Sequence, residues 1–377
     1  MKTKNIILYL MALLITCSCQ DMFEPADENN RQEDAMYEES KYAAGLLMYG
    51  YSRLPYSTST ETDVATDDAV TNNTNSNFLN MATGTWAADN NPMSQWDKCK
   101  DGIQYLNKFL TIVDKVKWAP SAVSKQQMFI DRQKGEAYGL RALLYYYLLQ
   151  AHGGYADDNI LYGVPLLTTP EDGSSDFNQP RALFSDCVKL CFADCDSAMK
   201  YLPMDYVDVA YDDIPAKYKE LGAEITGYNL VFGTRSRGLM SGKIAEAIKA
   251  QVALLAASPA FRDQSGVTSE EAAVLCANVL KRIGGMDGFD ATGNIWYKNK
   301  TKLEPSASEM PEILWRADRS KDASQERENF PPTLYGNGRV NPSQNLVDAF
   351  PMRNGRPITD PKSGYDHNNP YANRDPR

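Results

Sequence analysis

One stretch constrains the fold more than any other: Gly135-Glu-Ala-Tyr-Gly-Leu-Arg-Ala-Leu-Leu-Tyr-Tyr-Tyr-Leu-Leu-Gln150. Ala137, Leu140, Leu144, Tyr147, Leu148 and Ala151 share one helical face, at the three- and four-residue spacing of an amphipathic helix. Such a face has to be buried against another element. Ser124 with Gln127 three residues later reads as a capping box that opens this helix. Gly153-Gly154 stops it.

Other segments repeat the pattern. Helical periodicity runs from Ala35 through Tyr42, Leu46 and Leu47 to Pro55. Between Met93 and Val116 a stripe passes through Trp96, Ile103, Leu106, Leu110 and Val113. A further helix is expected over Ala182 to Tyr201, and another from Leu239 to Ser258-Pro259. Thr268 with Glu271 caps the last, which ends at Gly284-Gly285. Helices of this length joined by loops predict a mostly α fold. Its expected architecture is a tetratricopeptide-like helical repeat with an irregular, loop-rich binding region. No clean sequence period accompanies it. Pro55 to Pro92 is instead rich in Thr, Ser, Asn and Asp, and is too long for a passive connector. Met204 to Asn229 reads as an acidic, Tyr-rich insertion, and Pro, Asn, Gly and Asp dominate after Gly285.

The N-terminus predicts export. Lys2 and Lys4 precede the apolar run Ile6 to Ile15, about half of the roughly 20 residues a membrane-spanning helix requires. That is the length of a signal-peptide core. Thr16-Cys17-Ser18-Cys19 follows. A thiol at the first mature position can carry a lipid, and Ser18 makes Cys19 the expected lipidation site. Cys17 is the alternative. Residues 1–18 are then a signal peptide and 19–34 a polar, lipidated tether. No other run of the sequence approaches membrane-spanning length.

The net charge of −10 argues against nucleic acid and against a bare anionic lipid surface. Cys187, Cys191 and Cys195 fall on one helical stripe. A metal reading lacks a fourth ligand in a chain with 2 histidines, so core packing is expected. Asp67-Asp68 and Glu270-Glu271 are adjacent acids of the kind chance supplies, whereas glycoside hydrolysis needs two carboxylates held apart. No Gly-x-Ser-x-Gly elbow, His-Glu-x-x-His helix or phosphate loop is present. Asp63, Asp67 and Asp68 do not have EF-hand spacing. No enzyme activity, metal or cofactor is expected.

Several pieces, in order, resemble the SusD/RagB family of outer-membrane nutrient-uptake lipoproteins. They are Cys19-Gln-Asp-Met-Phe-Glu, Trp96-Asp-Lys-Cys-Lys-Asp-Gly-Ile-Gln-Tyr-Leu-Asn107, Gly135 to Ala142 and Tyr162-Gly-Val-Pro-Leu-Leu167. Cys191 to Pro203, Lys243 to Ala256, Asn341 to Phe350, Asn354-Gly355 and Tyr371-Ala-Asn-Arg-Asp-Pro-Arg377 complete them. The resemblance implies tetratricopeptide-like helix pairs packed against a less regular, loop-bearing part. It divides the chain into an N-terminal region over 35–230 and the start of a C-terminal region over 231–377. Family members continue past the Arg-Asp-Pro-Arg motif, so an incomplete C-terminal region is expected. The resemblance also implies a non-enzymatic role. Such a protein is lipid-anchored in the outer membrane, faces the cell exterior and delivers oligosaccharides to a TonB-dependent, SusC-like transporter. The competing readings are a helical-repeat scaffold that binds peptides or proteins and, less favoured, a lipid-anchored hydrolase.

Sugar recognition needs flat aromatic faces and a few planar polar groups. Tyr56, Asp68, Asn72, Asn73 and Trp86 are therefore the expected glycan-facing residues, with Trp296 and Tyr297 from the second half. The plainer alternative is that Trp86 and Trp296 anchor loops to the core. Trp96 lies on its helix's apolar stripe and is expected in the core. Glu136 and Arg141 are expected to make helix contacts, and His152 to cap its own helix.

Overall fold

The apolar stripes become long helices, each packed on the next. The computed structural model describes residues 33–55, 61–87, 89–291, 311–316 and 323–375. Its long helices are α1 (Ser40–Ser52), α2 (Trp96–Ile112), α3 (Val123–His152), α4 (Phe184–Tyr201), α5 (Gly242–Ala256) and α6 (Ser269–Arg282). Neighbours in this order pack side by side, from α1 on α2 through to α5 on α6. Among the described residues, strands are confined to two short antiparallel pairs: β1 (Ala69–Thr71) with β4 (Val340–Pro342), and β2 (Gly154–Tyr155) with β3 (Leu161–Tyr162). The mostly helical fold expected from periodicity is the fold observed. No helix of the described residues is long and apolar enough to cross a membrane.

α3 is the axis of the stack. Its 30 residues run for about 45 Å, and 17 of them are buried. Gly135 and Gly139 let neighbours approach: a Cβ on Gly135 would lie 2.5 Å from Leu202, and one on Gly139 would lie 2.7 Å from Met240. Glycine weakens a helix interior by about 1 kcal/mol relative to alanine, so these two positions trade propensity for contact.

The polar residues of α3 are equally committed. Buried Arg141 donates two hydrogen bonds to Asp194 of α4, both 2.7 Å, and a third of 2.8 Å to Asn107 of α2. Buried Glu136 accepts from Tyr51 of α1 at 2.6 Å and pairs with Arg132 at 3.1 Å. Both residues make helix contacts, as expected. Cys187, Cys191 and Cys195 are fully buried in the same core. Burial pushes their thiols up, that of Cys187 to about 11, so they pack as small apolar groups rather than as thiolates.

Local chemistry departs from expectation in three places. Ser124 lies inside α3 and donates to the Gly222 carbonyl instead of capping; the N-cap residue is Ala122. Thr268 does cap α6, accepting from the Glu271 amide at 3.1 Å. The helix expected from Ala35 breaks at Glu39 into Ala35–Glu38 and α1. The Tyr-rich segment after Met204 is packed: Tyr206, Tyr218 and Tyr228 form a second core with Met128, Val231 and Phe232. Their rings supply apolar area, while Tyr206 donates to the Met240 carbonyl and Tyr218 to Asp131.

Candidate functional site

Two places combine exposed aromatic rings with fixed polar groups. The first is a pocket of about 130 Å³ between the start of α2 and the loop from β3 to α4. Ile103, Leu148 and Val164 contribute apolar lining; Trp96, Phe177, Lys100 and Glu171 also line it.

The loop is stitched to the helices behind it. Tyr145 of α3 accepts from the Leu167 amide at 2.6 Å and lies within hydrogen-bonding distance of the Pro165 and Leu167 carbonyls. Asn107, whose Oδ1 accepts from Arg141, donates through Nδ2 to the Leu167 and Thr169 carbonyls at 2.9 and 3.2 Å. Gln104 takes both backbone groups of Glu171, donating to its carbonyl at 2.6 Å and accepting from its amide at 2.8 Å. The Arg141–Asp194 pair at the centre of the core is therefore one step removed from the pocket wall. Arg181 closes the other side by donating to the Gly163, His152 and Tyr162 carbonyls.

Trp96 corrects the expectation of a core residue: it is 37% exposed and lines this pocket. It occupies the first residue of α2, where the stripe has only begun to turn inward. His152 sets its position. The imidazole accepts from the Gln95 amide at 3.2 Å and meets the Trp96 ring edge-on, with centroids 5.6 Å apart. His152 thus serves the start of α2 rather than the end of its own helix. Burial, helped by the Arg181 charge, lowers its pKa. The neutral ring required for accepting that amide is favoured as a result.

The second place is the Asn-rich loop. Its backbone passes through a 3₁₀ turn (Thr62–Ala65), β1 and a short helix (Phe78–Ala82). Asp68 is exposed, and its carbonyl accepts from the Ser343 amide at 2.8 Å. Asn72 donates through its side chain to the Asn337 and Gly338 carbonyls, both at 3.2 Å. Asn73 donates to Glu61 at 3.0 Å and accepts from the Asn75 amide. Trp86 is 48% exposed. Asp68, Asn72 and Asn73 are brought together along β1 and the turn after it, beside β4. Tyr56, Trp296, Tyr297 and Cys19 lie outside the described residues.

The remaining acids are dispersed. Asp67 approaches the Asn345 side chain at 3.4 Å, and Glu270 and Glu271 occupy the first turn of α6, where they complement the helix dipole. Among the described residues no cluster of three or more His, Cys, Asp or Glu could hold a metal ion. Sequence reasoning missed Lys100, Glu171 and Phe177. Phe177 carried the one usable signal, an aromatic in the polar run Asp172 to Asn178 with no periodic reason to be there.

A sequence profile for SusD-like proteins, described as starch-binding and associating with the outer membrane, matches residues 29–217. A SusD-like protein from Bacteroides fragilis NCTC 9343 is 18% identical and superposes with a TM-score of 0.62, over 93% of this chain and 61% of its own. A SusD-like carbohydrate binding protein from the same strain is 18% identical, with a TM-score of 0.55 over 89% and 57%. A SusD superfamily protein from Bacteroides vulgatus ATCC 8482 is 13% identical, with a TM-score of 0.51 over 83% and 58%. This chain therefore spans about three fifths of the length of these relatives. At these identities the likeness is one of fold. No curated protein matches the chain.

Proposed function

This chain belongs to the SusD-like family of starch-binding proteins associated with the outer membrane, and from that premise we propose that it captures oligosaccharides and hands them to a TonB-dependent transporter. The observation that carries the ligand half of this reading is Trp86, a large aromatic ring 48% exposed on a loop whose backbone is locked. The Thr85 and Trp86 amides both donate to the Asn80 carbonyl, at 2.8 and 3.1 Å, so the ring is presented at low entropic cost. Asp68 supplies an exposed carboxylate on the same loop, and Tyr56, Trp296 and Tyr297 complete the proposed aromatic surface. The reading is of binding without turnover.

In this proposal residues 1–18 are removed on export, Cys19 carries the lipid and residues 19–34 form the tether to an outward-facing leaflet. The start of the described chain supports that arrangement. Glu33 pairs with Lys108, Tyr37 donates to Glu33 at 2.9 Å, and Glu38 pairs with Lys117 at 2.7 Å. These contacts hold the start of the described chain against the C-terminal part of α2 and the turn after it. Trp96 is twelve residues before Lys108, roughly 18 Å along the helix.

Isothermal titration of the full chain against an oligosaccharide panel, with product analysis, tests the function. Saturable binding without cleavage is expected. Released products would mark a hydrolase, and no heat with any glycan would favour the peptide- or protein-binding scaffold. Metabolic labelling with palmitate tests the anchor: Cys19→Ala should abolish incorporation, and loss only in Cys17→Ala would move the site.

A further inference from the structure

The pocket at the start of α2 contains one atom that the fold leaves unused. Glu171 Oε1 is buried and has no hydrogen-bond partner among the described residues. Its Oε2 stands 3.6 Å from Lys100 Nζ, an ion pair too long to be a hydrogen bond. Buried acceptors are ordinarily satisfied, and a bare one asks for an explanation. Gln104 clamps the Glu171 backbone from both sides, so the base of this side chain is held at the pocket wall. Two rings flank it that the core does not require. Trp96 is 37% exposed and Phe177 is 59% exposed.

We propose that this pocket is a subsite for one neutral pyranose ring, with Glu171 Oε1 accepting a sugar hydroxyl and Trp96 and Phe177 covering the C–H faces. The proposal rests on the glycan-binding reading above and adds a site separate from the Trp86 loop. The space of about 130 Å³ limits the site to a single ring at most. Charge supports the proposal. Lys100 and Arg181 in the wall disfavour a cationic ligand, and the unpaired carboxylate oxygen disfavours an anionic one. The donors of Arg181 are directed to three backbone carbonyls. Lys100 thus brings an ammonium donor and Glu171 an unpaired acceptor, and a neutral sugar hydroxyl can meet either.

Saturation-transfer NMR on the full chain tests this with methyl α-D-glucopyranoside, methyl α-D-mannopyranoside, methyl β-D-galactopyranoside and methyl β-D-glucuronide. Transfer to the ring C–H protons of at least one neutral glycoside is expected, with none to the glucuronide. Glu171→Ala and Trp96→Ala should each raise the Kd of that glycoside by about tenfold or more, whereas Val274→Ala, at an exposed position of α6 outside both places, should leave it within about twofold. Glu171→Ala keeps the backbone bonds to Gln104, so its loop stays in place; if Trp96→Ala lowers the melting temperature, Phe177→Ala replaces it. Absence of transfer from every neutral glycoside, equal transfer to the glucuronide, or unchanged affinity in both pocket variants overturns the proposal. Oligosaccharide binding that is lost in Trp86→Ala and intact in Glu171→Ala sinks the pocket and leaves the family reading standing.

Discussion

α3 buries 17 of its 30 residues, whereas between residues 323 and 375 only Met352 and Ser363 are buried. The two regions are held by different means. Around α3 apolar side chains interlock, and the buried charges of Asp131, Glu136 and Arg141 are paired and enclosed. In the later segment long side chains reach backbone carbonyls. Arg374 clamps the end of the short helix Gln344–Ala349 by donating to the Val347 and Phe350 carbonyls, and Asn354 donates to the Ser363 carbonyl at 3.1 Å. Glu328 is shared between Arg339 at 2.7 Å and Asn337 at 3.1 Å. One region resists change through its volume, and the other through a set of separate clamps.

Single substitutions should separate the two. The largest effect is expected at the buried ion pair. Asp194→Ala strands the Arg141 charge inside the stack and should cost about 3–5 kcal/mol in urea unfolding. The comparable change in the late segment, Arg339→Ala, should cost no more than about 1 kcal/mol, because that pair is only half-buried. Equal losses at both sites would erase the distinction. Gly135→Ala comes next: its methyl group meets Leu202, and overpacking of this kind costs about 1–3 kcal/mol. Thr268→Ala removes the α6 cap and should cost about 1 kcal/mol by the same measurement.

The smallest effect is a pH dependence centred on His152. Burial and Arg181 hold the imidazole below its ordinary pKa of 6.5. As pH falls through that value the unfolded chain takes up the proton first, so the folded state loses stability. Above it the contribution is fully present. Comparing melting temperatures at about pH 7.5 and about pH 5.5 should show a drop that is smaller in His152→Gln, which retains an acceptor but no titrating ring. An identical drop in both proteins would assign the dependence to other groups.

These differences explain what could be read from the sequence. α3, α4 and α6 were legible because burial on one face imposes a period, and Thr268 because a cap is local. Met204 to Asn229 was not: a tyrosine's polar tip disguises its buried ring, and the partners of Tyr206 and Tyr218 lie far along the chain at Met240 and Asp131. The Asn-rich loop was legible as a special segment, but its pairing with β4 joins residues about 270 apart and leaves no local trace. Trp96 shows the limit of periodicity. A helix's first residue follows the stripe in register and still stands outside the core, where it became one wall of a pocket. Glu171 lacked even that signal, since its burial follows from Gln104 on another element.

The most direct test of the glycan-binding claim is the affinity of the full chain and of Trp86→Ala for whichever oligosaccharide in the panel binds tightest, measured by isothermal titration. Stacking on one exposed aromatic is worth about 1 kcal/mol or more, so Trp86→Ala should weaken binding by roughly fivefold to tenfold or more while the melting temperature stays unchanged. No binding by either protein would contradict the glycan-binding claim, and the same affinity in both would remove Trp86 from the site.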